Sequence, residues 1–149
     1  MSGALVSVRV RSTEAARCTV FARNHDFVVG RPITFDREDP DLSAMEYAAG
    51  ALAADVVGTF RKVARERRVV LDEVEATIRG TLQNDLAFLG VVGESGEPSL
   101  KKLTLKIYAG SGSPAGEVRA AWEAALRRSP LATSLGPVLD IEYDFQIIH

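Results

Sequence analysis

The chain has 149 residues, of which 46% are hydrophobic and 26% charged, and its formal net charge is −2 at pH 7. This length suits one domain whose core needs no disulfide or structural metal, and the composition argues against disorder and fibrous structures. Eighteen Lys and Arg residues against twenty Asp and Glu give no basic excess, which argues against nucleic acids and anionic membranes as partners. We therefore predict a single domain over residues 1–149.

Cysteine and histidine are scarce in the sequence. The single cysteine, Cys18, excludes an intramolecular disulfide and a cysteine-based zinc site, and His25 and His149 lack metal-ligand spacing. We predict neither a metal nor a cofactor. The first residues contain no apolar signal core, and the most apolar stretch, 48–58, is too short to cross a bilayer and is interrupted by Asp55. These features predict a soluble, cytoplasmic protein without membrane attachment.

The first quarter of the chain has the period-2 alternation of half-buried strands. Apolar and polar residues alternate over 5–11 and again over 18–23, and residues 24–26 are typical of a turn. A third strand over 27–29 is predicted to pair back as a hairpin. Residues 30–42 contain two prolines and an acidic cluster, which predicts a loop.

A long helix follows this loop. Ser43 and Glu46 have the spacing of a capping box, and no strong helix breaker follows before about Arg67. Residues 48–54 are small and apolar on every side, which predicts a buried first half that neighbouring backbones can approach closely. The basic stretch 61–68 is amphipathic, and we interpret it as the solvated end of the helix rather than as a phosphate-binding patch.

The remaining elements are predicted from alternation and from helical spacing: strands over 70–82, 87–92 and 103–107, a helix over 114–128 with Ser113 as its N-cap, a further helical turn within 129–136, and a strand over 138–148. The resulting order is β-β-β-α-β-β-β-α-β. This order indicates an α+β fold and not a doubly wound parallel sheet, which would need a helix after each strand.

Asp55 breaks the local pattern, because it is a carboxylate in a wall of alanines. A buried carboxylate must be hydrogen-bonded, ion-paired, protonated or directed into a cavity. Two interpretations are open: Asp55 faces water or bonds Thr59 or an arginine, or it lies at the floor of a pocket. Glu46 is interpreted mainly as a capping residue, although a glutamate at the start of a helix can also orient a ligand.

Other reactive residue types have structural interpretations. Cys18 lies in a strand pattern and is interpreted as a small hydrophobe rather than as a reactive thiol. His25 and His149 are predicted to be solvated, and Trp122 is predicted to belong to the core. The sequence contains no glycine-rich phosphate loop, no Ser-His-Asp set and no paired metal motif.

Several segments resemble the OsmC-like superfamily, which includes the organic hydroperoxide resistance proteins. Residues 44–55, AMEYAAGALAAD, and the basic stretch after them are similar to the family's central helix. Residues 125–131 are similar to the segment in which a cysteine precedes a proline, and 138–145 to the closing strand. The resemblance covers nearly the whole chain. It implies antiparallel sheets around a long buried central helix, in an intertwined homodimer.

The chain departs from the family at both of its cysteines. The resemblance places Asp55 where the family has its peroxide-reacting cysteine and Ser129 where it has the resolving cysteine. The family's chemistry needs a thiolate that attacks the peroxide and a second thiol that converts the sulfenic acid to a disulfide. A carboxylate and a hydroxyl cannot take these roles, and Cys18 would have to move from its strand to the helix. We therefore predict that thiol peroxidase activity is absent.

The resemblance also implies where a site would lie. It places Asp55, Glu46 and Ser129 near a cleft that the second subunit completes at the dimer interface. It further implies a positive group beside them, for which Arg17 and Arg31 are both candidates.

Three functions remain open from the sequence. The first is a homodimeric binding or scaffold protein with a small-molecule pocket at the subunit interface. The second is an enzyme of another class that uses Asp55 as a general acid or base. The third is a residual organic hydroperoxide reductase, related to stress response, that uses Cys18.

Overall fold

The structure is a computed structural model and describes residues 3–149. The chain divides into two compact units, Met1–Gly50 and Ala51–His149. Strands and helices are interspersed along the chain, and the strands form two separate β-sheets. The predicted α+β class is therefore confirmed, whereas the prediction of a single domain over 1–149 stays a prediction.

The first unit contains a three-stranded antiparallel sheet. Its strands are β1 (Arg9–Glu14), β2 (Arg17–Ala22) and β3 (His25–Val29), in the order β1-β2-β3. The predicted strand-hairpin arrangement is confirmed, although the first strand lies later than the predicted 5–11. Arg23 has a φ of 56° in the short turn between β2 and β3. All six residues of β1 are exposed.

The long helix α1 (Ala44–Glu66) begins at the predicted capping box. The Ser43 N–H donates to Glu46 Oε1 at 3.0 Å, and the Glu46 N–H donates to Ser43 Oγ at 3.1 Å. Two amides at the start of the helix are therefore satisfied reciprocally.

The burial along α1 differs from the prediction of a buried first half and an exposed end. Ala48, Gly50, Ala51 and Ala54 are exposed in this chain. The buried residues of α1 are Leu52, Val56, Phe60, Val63 and Ala64. The physical reason is side-chain size, because alanine and glycine dominate the first half, whereas most of the large apolar groups that gain from burial lie from Val56 onward. The prediction of a helix buried throughout its first half is therefore wrong for this chain.

The second unit contains a mixed three-stranded sheet. Its strands are β4 (Val74–Leu82), β5 (Leu100–Gly110) and β6 (Asp140–Ile148), with β5 in the centre. β4 pairs antiparallel with β5, whereas β5 and β6 are parallel. The resemblance implied antiparallel sheets, but the second sheet contains one parallel pair. A parallel pair needs a crossover connection, and helices lie in the chain between β5 and β6.

The predicted strand over 87–92 is wrong. Its start lies in a single helical turn, α2 (Asp85–Phe88), and Asn84 accepts a hydrogen bond from the Ala87 N–H at 3.2 Å. Gly90 and Gly93 follow with φ angles of 74° and 89°, which break an extended conformation. The observed order is β-β-β-α-β-α-β-α-α-β. It agrees with the predicted order except that a short helix replaces the predicted strand over 87–92 and a second short helix precedes the last strand.

Two helices precede the last strand, as predicted. They are α3 (Ala115–Arg128) and α4 (Pro130–Leu135). Ser113 does not cap α3, because Pro114 occupies the N-cap position. The Ser113 hydroxyl oxygen instead accepts a hydrogen bond from the Val70 N–H at 3.0 Å.

The core of the second unit centres on aromatic residues from three elements. Phe60 of α1 meets Trp122 of α3 and Phe145 of β6 edge-on, at ring-centroid distances of 5.4 and 5.5 Å. Trp122 stacks on Phe145 at 4.8 Å. The predicted core position of Trp122 is therefore confirmed. None of the helices within residues 3–149 is both long and apolar enough to cross a membrane.

Candidate functional site

Asp55 and Ser129, the two residues that the family resemblance singles out, are in direct contact. Asp55 lies in α1 and is half-buried, whereas Ser129 is fully buried between α3 and α4. The Ser129 hydroxyl donates to Asp55 Oδ2 at a distance of 2.5 Å. The two side chains thus meet directly, although they come from different helical segments of the second unit.

The same carboxylate oxygen accepts a second hydrogen bond. The backbone N–H of Leu131 donates to Asp55 Oδ2 at 3.0 Å. Among residues 3–149, Asp55 forms no ion pair, and its hydrogen bonds do not involve Thr59. The sequence suggested Thr59 or an arginine as the partner of Asp55, but its partners are the Ser129 hydroxyl and the Leu131 backbone amide.

Together, the side chains of Asp55 and Ser129 accept hydrogen bonds from the backbone N–H groups at the start of helix α4. Ser129 Oγ accepts from the Ala132 N–H at 3.2 Å, and the Ser129 carbonyl accepts from the Thr133 N–H at 3.0 Å. Pro130 has no N–H, and the Leu131 N–H is taken by Asp55. The amides that a helix leaves without partners at its N-terminus are thus all accounted for. Asp55 acts here as a second cap supplied by a distant part of the chain.

The arrangement of Asp55 and Ser129 suits a structural role better than a chemical reaction. Ser129 has no exposed surface, and its oxygen is held both as a donor and as an acceptor. A substrate would have to displace this network to reach the hydroxyl. The residue set can hold α4 against α1 within the second unit, which is a positioning role.

Glu46, the third predicted site residue, lies in the first unit. Its carboxylate accepts the hydrogen bond of the Ser43 N–H in the capping box, so its predicted capping role is confirmed. The role of orienting a ligand stays a prediction.

The two candidate arginines lie near the acidic loop of the first unit. Arg17 forms ion pairs with Asp41 at 3.1 Å and with Glu14 at 3.4 Å. Arg17 and Arg31 both line a small cavity of about 270 Å³ beside residues 36–41. Within this unit, the charge of Arg17 is thus already paired with carboxylates.

Cys18 lies in β2 directly opposite Val29 of β3 and is half-buried. This strand position agrees with its interpretation as a small hydrophobe. Among residues 3–149, no group of three or more His, Cys, Asp and Glu side chains has an arrangement that holds a metal ion.

Sequence reasoning missed the backbone amides of Leu131 and Ala132 as partners of the predicted pair. One signal was present, because a serine followed by proline is typical of an N-cap and the first helical position. The basic end of α1 also borders an open cavity of about 710 Å³, which the sequence did not predict.

Comparisons with known proteins agree with this fold. The family model of OsmC-like protein matches residues 37–144. A search of curated protein sequences finds no match. The chain is similar in structure to an OsmC-like protein from Mycoplasma pneumoniae, with a TM-score of 0.83, 13% identity, and coverage of 99% of this chain and 100% of the other.

Two solved structures of hydroperoxide resistance proteins have the same fold. The organic hydroperoxide resistance protein OsmC from Legionella pneumophila matches with a TM-score of 0.70 and 15% identity, over 97% of this chain and 99% of that one. The organic hydroperoxide resistance protein OhrB of Bacillus subtilis matches with a TM-score of 0.65 and 16% identity, over 96% and 100%. With a family model that matches most of its length, the chain belongs to the OsmC-like protein family.

Proposed function

We propose that this protein is a cytoplasmic OsmC-family homodimer that has lost thiol peroxidase chemistry and binds a small molecule at its subunit interface. The observation that carries the proposal is the Asp55–Ser129 hydrogen bond at the positions where the resemblance expects two cysteines. Its relatives from Legionella and Bacillus carry names that refer to organic hydroperoxide resistance.

The loss of peroxidase chemistry follows from the atoms available. A peroxidatic thiolate attacks one peroxide oxygen, releases an alcohol and becomes a sulfenic acid, and a second thiol then forms a disulfide and releases water. This chain has one cysteine, so it cannot close an intramolecular disulfide. The oxygens of Asp55 and Ser129 cannot be oxidised and reduced in this way.

The hydrogen bonds of Asp55 also argue for a structural use of the former reaction centre. Its Oδ2 atom is shared by the Ser129 hydroxyl and the Leu131 amide. A general acid or base needs a carboxylate oxygen within hydrogen-bond reach of a substrate proton, whereas the recorded hydrogen bonds of Asp55 hold the start of α4. A structural role for Asp55 therefore has more support than acid–base catalysis.

The homodimer is supported by apolar surface in the first unit. Several large apolar side chains of this unit are more than a third exposed, and they are Leu5, Val6, Val8, Val10, Phe27, Phe35 and Leu42. Burying such residues against an identical surface is the usual way in which a homodimer forms. Members of the family form homodimers, and a second copy would complete a cleft beside α1.

The proposal is tested by a peroxidase assay and by a mass measurement. Purified protein is mixed with tert-butyl or cumene hydroperoxide and a dithiol reductant, and peroxide loss is followed for the wild type and Cys18→Ser. We expect no turnover by either protein. Turnover by both, or turnover that Cys18→Ser abolishes, would contradict the loss of peroxidase chemistry.

The dimer and its ligand are tested separately. Light scattering after size exclusion is expected to give twice the 16.1 kDa chain mass, and Val8→Glu with Val10→Glu is expected to give monomers. Native mass spectrometry of the protein from cell extract is then expected to show a small molecule that the dimer retains and the monomeric variant loses. A monomeric wild type, or the absence of any ligand that only the dimer retains, would contradict an interface pocket.

A further inference from the structure

The open cavity at the end of helix α1 combines positive charge with apolar surface. It has a volume of about 710 Å³. Arg61, Lys62 and Arg65 contribute the charge, and the segment 69–71 after the helix contributes much of the apolar wall. We call this feature the basic groove, and all of its residues belong to the second unit.

The charge of the basic groove is not balanced by its own carboxylate. Glu66 is the one acidic residue that lines the groove among residues 3–149, and it pairs with Lys62 at 3.2 Å and with Arg128 at 2.6 Å. Arg61 and Arg65 lie one helical turn apart, so they are neighbours of like charge. Arg65 has no ion pair with any residue in 3–149. An anion between these two arginines would relieve their repulsion.

Part of this positive charge has a simple structural explanation. Basic residues in the last turns of a helix complement the helix dipole, so charge alone does not indicate a ligand. The position of Arg61 adds information, because its Nη2 donates to the Asp72 carbonyl at 2.6 Å. This bond holds the guanidinium at the groove and leaves its other donors free for a carboxylate, which an arginine can bind through two hydrogen bonds.

The apolar wall is the second observation. Val70 is 62% exposed, yet both of its backbone groups are fixed. Its N–H donates to Ser113 Oγ at 3.0 Å, and its carbonyl accepts from Ser111 Oγ at 2.5 Å. An exposed apolar side chain on a backbone that is held in place, beside buried Ala64 and Val69, offers a surface that an apolar ligand can cover.

We propose that the basic groove is a binding site for a small amphipathic anion, namely a carboxylate with an alkyl chain. The carboxylate would lie between Arg61 and Arg65, and the chain would cover Val70 and its apolar neighbours. No bond is made or broken in this proposal. The site contains neither Asp55 nor Ser129, so it stands independently of the function proposed above.

The test uses decanoate, below its critical micelle concentration, with the full chain labelled for NMR. We expect saturable shifts of the amide signals of Val69, Val70 and Leu71. Decanol lacks the charge and acetate lacks the chain, so both are expected to bind at least about tenfold more weakly. Shifts confined to residues outside the groove, or equal binding of decanoate and either control compound, would overturn the proposal.

Matched variants separate this site from general charge attraction. Arg61→Gln with Arg65→Gln is expected to weaken decanoate binding by about tenfold or more, because charge-assisted bonds are lost. Arg67→Gln with Arg68→Gln removes the same charge from exposed positions that do not line the groove, and it is expected to change the affinity by less than about twofold. Equal effects of the two double variants would overturn the proposal. If the arginine variant fails to fold, Val70→Ser is the replacement test, and an unchanged affinity would count against the site.

Discussion

Asp55 Oδ2 and Ser129 Oγ lie 2.5 Å apart, although 74 residues separate them in the sequence. Ser129 ends α3 and begins α4, and Asp55 reaches across from α1 to bond both the serine hydroxyl and the Leu131 amide. A pair that the family resemblance assigns to redox chemistry thus has the geometry of a helix cap in this chain. Its removal should therefore be measurable as a loss of stability.

The first prediction concerns Asp55. Replacing it by alanine removes two hydrogen bonds and leaves the buried Ser129 hydroxyl without its acceptor, so we expect the free energy of unfolding to fall by about 1–3 kcal/mol. Asp55→Asn retains an acceptor oxygen without the charge, and we expect a loss of about 1 kcal/mol. Urea denaturation measures both, and it is run at one fixed protein concentration because the stability of the proposed homodimer would depend on concentration.

The control for this prediction is Ser134→Ala, an exposed substitution in the same short helix that should change stability by less than about 0.5 kcal/mol. A double-mutant cycle of Asp55→Ala with Ser129→Ala should give a coupling energy of at least about 0.5 kcal/mol. Strict additivity would contradict the direct hydrogen bond.

The second prediction concerns pH. The hydrogen bond from Arg128, together with that from Lys62, lowers the pKa of Glu66 from 4.5 to about 2. A lowered pKa means that this carboxylate contributes stability above pH 4.5, and that the contribution is lost as the pH falls from 4.5 to about 2. NMR titration of the Glu66 side-chain carboxyl tests this directly. Because the pair is exposed, the gain in stability itself should be small.

Two variants identify the cause of the Glu66 shift. Arg128→Met should raise the pKa of Glu66 toward 4.5, and Lys62→Met should raise it less, because the Arg128 hydrogen bond is the larger influence. The prediction fails if wild-type Glu66 titrates near 4.5 or if the lysine substitution has the larger effect.

The third prediction concerns the aromatic core. Phe60 is fully buried and contacts both Trp122 and Phe145, so Phe60→Ala should lower the free energy of unfolding by about 3–5 kcal/mol. The control Phe88→Ala changes a residue that is 39% exposed, and we expect a loss of about 1 kcal/mol or less. Fluorescence of Trp122, the only tryptophan, reports both transitions. Similar losses for the two variants would place Phe60 outside the core.

Local sequence signals predicted the features that depend on neighbouring residues. The capping box of Ser43 and Glu46 was predictable because its partners are three residues apart, and the structure contains both of its hydrogen bonds. The alternation in β5 was also visible, but alternation cannot tell a parallel neighbour from an antiparallel one. The parallel pairing with β6 depends on the crossover through α3 and α4.

Two kinds of feature were not predictable from local patterns, namely the backbone conformation of individual residues and contacts between residues distant in the sequence. The apolar run over 87–92 fits a strand as well as a turn, and the left-handed glycines at 90 and 93 decide between them. For the candidate site, the resemblance identified Asp55 and Ser129, but no spacing rule connects residues 74 positions apart. The small residues in the first half of α1 are apolar on every side, so their pattern does not indicate which side of the helix is buried.

The last prediction tests whether Asp55 and Ser129 occupy the former cysteine positions. In a Cys18→Ser background, Asp55→Cys together with Ser129→Cys should restore consumption of organic hydroperoxides with a dithiol reductant, because the two thiols can then form and release a disulfide. Mass spectrometry after peroxide treatment, without reductant, should show the loss of two hydrogens from the double variant. Asp55→Cys alone should stop at the sulfenic acid, which adds one oxygen and gives no disulfide within the chain. A folded double variant that neither consumes peroxide nor forms the disulfide would show that the two positions do not correspond to the family's reaction centre.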